Sequence, residues 1–172
     1  MYKVLIMSDS HGLTEEIDML KNRHKDIVHI IHCGDSELSI DAEQLEGIVQ
    51  VAGNCDFGES FPKEKTLHIG GLNLFVTHGH LHRVKQHLQS LYYYVVDKDV
   101  DVVLYGHNHI AKAQVIDNIL FINPGSIRYP RSRVEKTYAI MSWSDSEDIE
   151  VNYYTLEGQP LTILDLKTKI KK

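Results

Sequence analysis

Five short clusters in this chain carry the residue types of metal chemistry. They are Asp9-Ser10-His11, Gly34-Asp35, Gly53-Asn54-Cys55-Asp56, Thr77-His78-Gly79-His80 and Gly106-His107-Asn108-His109. Carboxylate and amide oxygens with imidazole nitrogens suit Mn, Fe, Zn and similar divalent ions better than a soft thiolate site would. In Asp9-x-His11 the two side chains can point the same way where the chain leaves a strand, and His107-x-His109 repeats that spacing. A carboxylate has two oxygens, so Asp35 is the natural bridge between two ions. Gly12, Gly34, Gly53, Gly79 and Gly106 permit tight corners and close backbone approach to a ligand. Any one Gly-Asp or Asp-x-His is commonly just a turn. Five in order, each directly after an apolar run, are more than turns require. His24, His29, His32, His68 and His87 lie within expected helices or strands and are read as ordinary structural histidines.

The elements that must position these clusters are short and β-branched: 3–7, 26–32, 47–52, 72–76, 101–105 and 119–123. Their length and Val/Ile content predict buried strands. A helix is expected over 13–24, with Leu13, Ile17, Leu20 and His24 on one face, and another over 83–98, with Val84, Leu88, Leu91 and Val95. Residues 137–143 and 149–156 predict two antiparallel strands joined by a turn at 144–148, and 159–169 a last strand or helical turn before a frayed basic end. Strand and helix alternate early, and strands dominate late. That order predicts an α/β (α+β) fold, two sheets packed face to face with helices outside, in a single domain over 1–172. Ligands in such sheets collect beyond the carboxyl ends of the strands, where all five clusters fall.

Composition narrows the function. The chain has 172 residues, 18 Lys+Arg against 24 Asp+Glu, and a net charge of −6. That balance argues against stable nucleic-acid binding or residence on an anionic membrane, but not against a small phosphorylated substrate in a cleft. No run approaches the ~20 apolar residues of a membrane span. Cys33 and Cys55 are read as reduced thiols, which points to a cytoplasmic protein. Tyr92–Tyr94 is a candidate surface for a homo-oligomer or, equally, a core contact.

The ordered set Asp-x-His, Gly-Asp, Gly-Asn-x-Asp, His, Gly-His-x-His resembles the calcineurin-like metallophosphoesterase superfamily. Gly-Asn-Cys-Asp, Thr-His-Gly-His and Asn123-Pro-Gly-Ser126 resemble its small YfcE-type phosphodiesterases. The resemblance implies a β-sandwich of two mixed sheets flanked by helices, a four-layer αββα arrangement. It implies two divalent ions, manganese first, with iron, nickel, zinc and magnesium as alternatives. Asp9, His11, Asp35 and His109 would hold one ion, and Asp35, Asn54, His78 and His107 the other. The implied activity is attack of a metal-bound hydroxide on a phosphate diester. Asp56, His80 and backbone carbonyls near Asn123 are expected to support the ligands. Ser10 and Ser36 are candidates for phosphoryl contact or for capping, and Arg128, Arg131 and Arg133 read as a solvated loop.

Phosphoesterases with two metal ions often carry His where Cys55 stands, and that His is a candidate proton donor. An unperturbed thiol, with a pKa of about 8.5, is too weak an acid to replace it near neutral pH. Cys55 is therefore read as a small packing residue that narrows the chemistry to diesters or activated leaving groups, with His80 the candidate donor. Two other functions fit the same sequence. One is a non-catalytic scaffold resembling the retromer's phosphoesterase-like subunit; the other is a phosphomonoesterase or nucleotide pyrophosphatase. The intact ligand histidines speak against the scaffold.

Overall fold

A computed structural model describes residues 1–145 and 148–171. In chain order the elements are β1 (Tyr2–Met7), α1 (Glu15–Arg23), β2 (His29–His32), β3 (Ile48–Gln50), β4 (Glu64–Ile69), β5 (Leu72–Thr77) and α2 (Gln89–Val95). They continue with β6 (Val102–Leu104), β7 (Lys112–Ile116), β8 (Ile119–Asn123), β9 (Thr137–Trp143), β10 (Ile149–Thr155) and β11 (Leu166–Thr168). One sheet has the order β11-β10-β9-β1-β2-β3 and the other β4-β5-β6-β8-β7. Each has a parallel centre, β1-β2-β3 and β5-β6-β8, with antiparallel strands beside it.

The strands read as continuous apolar runs because both faces are buried. Along β1, Val4 and Ile6 point between the sheets, where they meet Leu74, Val76, Leu104, Leu120 and Trp143. Leu5 and Met7 point the other way, onto Ile17 and Leu20 of α1. Phe75, Val103 and Phe121 of the second sheet face Leu91 and Val95 of α2. The period-2 alternation of a strand thus feeds three apolar layers from two sheets. This is the sandwich, helices outside, that the sequence implies.

Four details differ from expectation. The second helix spans only Gln89–Val95 rather than 83–98: Arg83 takes a left-handed φ of 54°, and residues 84–88 follow as turn and bend rather than as helix. Val84, Leu91 and Val95 are buried nonetheless, so the apolar period reported the buried face rather than the helix length. Strands β4 and β7 were not anticipated. Both are edge strands with exposed positions, and EKTLHI and KAQVI lack the apolar density of their neighbours. The basic end is not frayed as far as Lys171: Ile170 is buried between the sheets, and Lys171 exchanges backbone bonds with the Asn118 side chain. Of the expected turn at 144–148, residues 146–147 lie outside the described residues. No helix among the described residues is long and apolar enough to cross a membrane.

Candidate metal centre

The parallel strands deliver their polar ends to one edge. Asp9 and His11 follow β1, Asp35 follows β2, Asn54 follows β3, His78 follows β5, and His107 and His109 follow β6. Donor atoms of Asp9, His11 and His109 lie within 4.8 Å of one another, and so do those of Asp35, His78 and His107. Asp35 Oδ2 stands between the two groups, 3.2 Å from His78 Nε2 and 4.0 Å from His11 Nε2. Asn54 Oδ1 and His107 Nδ1 approach His78 Nε2 at 3.1 and 3.2 Å. All seven expected ligand residues are therefore in one place.

The outer ring nitrogens reveal which atoms face inward. His78 Nδ1 lies 2.7 Å from the Cys33 carbonyl and His109 Nδ1 2.7 Å from the Tyr129 carbonyl, so both are N–H donors. In a neutral ring that leaves the Nε2 lone pair aimed at carboxylate oxygens: Asp9 Oδ1 is 3.0 Å from His109 Nε2. His11 is held likewise, its Nδ1 2.6 Å from Glu37 Oε1. Asp9 Oδ1 and His11 Nε2 are buried with no hydrogen-bond partner among the described residues. Acceptors facing acceptors in a buried place are costly unless a cation sits among them. The donor set fits hard or borderline divalent ions.

The electrostatics agree. Burial would raise the Asp9 and Asp35 carboxyls, but the neighbouring histidines outweigh it and hold both below the ordinary carboxylate value. Burial would lower His78, yet Asp35 and Asp9 raise it, so a positive charge, proton or metal, is favoured at that point. His107 is lowered to about 4, first by burial and then by the charges of His78 and Lys85. Its ring is neutral at physiological pH, as a ligand must be.

The backbone is bent to hold this arrangement. Asp9, His11, Asp35, His107 and His109 have φ of 54°, 43°, 57°, 70° and 60°, in the left-handed region that residues other than glycine seldom adopt. Such positions concentrate where a structure needs an unusual chain path to aim a side chain. Asp35 also depends on Gly53, where a Cβ would lie 2.0 Å from Asp35 Oδ1.

Asp56 supports the site as expected, but through backbone. Its carboxylate accepts from the N–H groups of Asp35, Glu37 and Gly53 at 2.8, 2.8 and 2.7 Å, tying three corners together. The supporting carbonyls are those of Cys33 and Tyr129, not ones near Asn123. Asn123 acts differently, donating to Gly106 O at 3.1 Å and Asn108 Oδ1 at 2.8 Å, which pins the Gly106–Asn108 loop. Ser10 and Ser36 are fully buried and engaged with His32 and Gln50, so neither is a phosphoryl contact. Arg128 is not solvated: its guanidinium donates to the His11 carbonyl. Cys55 donates its N–H to Asp35 Oδ1 at 2.7 Å, while burial and then the nearby acids push its thiol up to about 11, so it stays protonated. The thiol belongs to none of the apolar clusters and lies within 4.8 Å of donor atoms of His11 and Glu37, so the structure does not assign it the packing role expected from the sequence. His80 lies outside both donor groups, its ring 5.3 Å from that of His78.

Sequence reasoning missed Glu37 and Tyr129, and it gave His32 no place near the site. Glu37 sits two residues beyond Asp35, the spacing already used for Asp9-x-His11, so a signal existed. His32 is fully buried, with Ser10 Oγ 2.8 Å from Nε2 and the Gly34 N–H 3.2 Å from Nδ1, and burial lowers it from 6.5 to about 4. The folded state therefore refuses a proton that the unfolded chain accepts. The contribution is complete above pH 6.5 and is lost as pH falls toward 4, roughly 3 kcal/mol by linkage. His32→Asn should flatten the fall of the urea midpoint between pH 6.5 and 4 in metal-free protein. An unchanged slope would remove His32 from this account.

Comparison with known proteins gives the arrangement its context. Residues 2–146 match the calcineurin-like phosphoesterase superfamily domain. The chain belongs to that superfamily. It is 44% identical over 168 residues to the probable metallophosphoesterase YsnB of Bacillus subtilis, covering 97% of this chain and 98% of that one. It is 29% identical over 145 residues to the phosphodiesterase MJ0936 of Methanocaldococcus jannaschii, covering 72% and 82%. Among solved structures, a conserved uncharacterized protein of Streptococcus pneumoniae TIGR4, described as a predicted phosphoesterase, aligns with a TM-score of 0.92 and 32% identity over 98% of this chain and 97% of that one. This phosphoesterase shares its fold and the expectation of a divalent metal with that superfamily.

Proposed function

We propose that this phosphoesterase is a divalent-metal-dependent phosphodiesterase with a dinuclear site. The observation that carries the reading is the convergence of Asp9 Oδ1, His11 Nε2, Asp35 Oδ2, His78 Nε2 and His107 Nδ1 at one strand edge, the first two buried with no hydrogen-bond partner among the described residues. Asp9, His11 and His109 would hold one ion, and Asn54, His78 and His107 the other. Asp35 would be shared. When bound, the ions supply Lewis-acid charge for the phosphoryl oxygens and acidify a water. The chain's own work is to fix the imidazoles through Glu37, Cys33 O and Tyr129 O, so that each presents its lone pair inward.

The proton for the leaving oxygen is assigned to His80. Its Nδ1 is buried without a hydrogen-bond partner among the described residues, and burial and then the charge of His78 lower its pKa, so it carries a proton mainly below pH 6.5. Cys55, a protonated thiol near pH 7, offers no equivalent acid. A site whose acid is so little protonated near neutral pH favours esters whose alcohol leaves readily. His80→Ala is expected to slow an alkyl-leaving diester about 100-fold at pH 6 and to leave a 4-nitrophenyl diester at pH 8 nearly unchanged. Equal rates and unchanged pH profiles on both would remove His80 from the mechanism.

The test of the function uses metal-stripped protein reloaded with Mn²⁺. Bis(4-nitrophenyl) phosphate should turn over faster than 4-nitrophenyl phosphate, and chelation should abolish both rates. Silence with every divalent ion would sink the enzyme reading in favour of an interaction module. Faster monoester turnover would overturn the account of Cys55.

A further inference from the structure

A cavity of about 730 Å³ opens beside the metal centre, between residues 84–89 and α2 on one side and β7 on the other. Its size is that of a small-molecule site, typically ~300–1,000 Å³. Three contacts tie it to the centre. Asn108 lines it and is the residue between His107 and His109. Val84 lines it and packs on Gly79, between His78 and His80, so closely that a Cβ there would meet Val84 Cγ2 at 2.8 Å. Tyr105, another wall, immediately precedes Gly106.

The lining has a definite chemistry. Tyr92 and Tyr93 offer ring faces, Tyr105, packed in the core, offers only an edge, and Gln86, Gln89 and Gln114 offer amides that both donate and accept. Lys85 and Lys112 line it as well, and no carboxylate does, although the chain carries 24 acidic residues. Two of the rings are held: the Tyr92 hydroxyl donates to Asp117 at 2.7 Å, and Gln89 Nε2 donates to Tyr93 at 3.4 Å. At the inner end Asn108 Oδ1 accepts from the Ile110 N–H at 2.9 Å and from Asn123 Nδ2 at 2.8 Å. Those bonds fix the amide orientation and leave its NH₂ as a donor at the junction of cavity and centre.

Resting on the phosphodiesterase reading, we propose that this cavity seats one organic arm of the diester. The arm it fits is of the nucleoside class, an aromatic heterocycle with hydrogen-bonding edges joined to a phosphate. Tyr92 and Tyr93 stack on the ring, the glutamines meet its edges, Asn108 donates to a phosphate or ester oxygen, and the lysines favour the anionic ligand. An alkyl arm would leave the amides and rings unused. A cationic arm would be repelled.

Calorimetric titration of Mn²⁺-loaded protein with thymidine 5′-monophosphate and with methyl phosphate reads the arm directly. The nucleotide should bind at least tenfold more tightly. Gln114→Trp, which fills the cavity from β7, should bring the two affinities within twofold of each other without altering that for methyl phosphate. Lys112→Glu, an exposed change on the same edge strand, should weaken the nucleotide selectively and guards against misfolding of the tryptophan variant. Equal wild-type affinities, or a preference that survives both variants, would overturn the proposal. Failure of the parent reading looks different: no diester is hydrolysed with any ion, yet the nucleotide preference and its loss in the variants persist.

Discussion

Asp35→Asn should yield a folded protein that hydrolyses a phosphodiester about 10³-fold more slowly than the wild type, the equivalent of several kcal/mol of metal-borne charge stabilisation at 1.36 kcal/mol per tenfold. The size of the effect follows from where the carboxylate stands. Asp35 Oδ2 is 3.2 Å from His78 Nε2 in one donor group and 4.0 Å from His11 Nε2 in the other, so it stands between the two groups, where the proposed dinuclear site would share it. An amide keeps an oxygen to accept the Cys55 N–H, now 2.7 Å from Oδ1, but loses the charge that a shared ligand must supply. The fold should survive with a modest loss: the histidines around Asp35 hold its carboxyl below the ordinary value, so the ionised form stabilises metal-free protein at neutral pH and its neutralisation should lower the thermal midpoint. Metal content by elemental analysis, turnover and thermal melting together decide the matter. A variant that retains two ions and full turnover would show that Asp35 does not bridge.

Asp56→Ala should be the costliest change to stability around the site. The carboxylate, 7% exposed, is the acceptor for the N–H groups of Asp35, Glu37 and Gly53. A buried donor left unsatisfied costs ~1–3 kcal/mol, so losing the acceptor for three should cost roughly 3 kcal/mol or more. Activity should fall as well, about 10- to 100-fold, because the released corners carry Asp35 and the Glu37 that orients His11. Asp56→Asn keeps one acceptor oxygen and should fall between the two. Urea denaturation read beside turnover tests the pair. Full activity in a destabilised Asp56→Ala protein would confine Asp56 to folding.

The parts of this molecule that could be read from its residues were those with a chemical reason to recur. Strands buried on both faces must be continuously apolar, and β1, β5 and β8 announced themselves that way. Edge strands need satisfy only one face, so KAQVI and EKTLHI carried no comparable mark. The turn and bend over 83–88 that shorten α2, with Arg83 left-handed at their start, bury the same apolar period and so leave no mark in it. The seven inward residues were legible because metal ligands have restricted types. Asp56 was legible too, but the carbonyls that orient His78 and His109 were not, because a backbone carbonyl such as that of Tyr129 belongs to any residue. His32 is the structural histidine expected of it, but its bond to Ser10, between Asp9 and His11, was not legible, because a buried histidine in an apolar strand looks the same in sequence whatever it faces.

The left-handed turns at Asp9, His11, Asp35, His107 and His109 have an evolutionary implication. Aspartate, asparagine, histidine and glycine tolerate such φ values better than other residues do, so the first substitutions open to these positions are gentle ones. Glycine or asparagine there would ease the chain and cost little in stability. Loss of catalysis would therefore be an easy drift for this fold, downhill in backbone energy. A chain that still carries all five strained side chains, together with Asn54 and His78, is held against that slope by what the strain accomplishes.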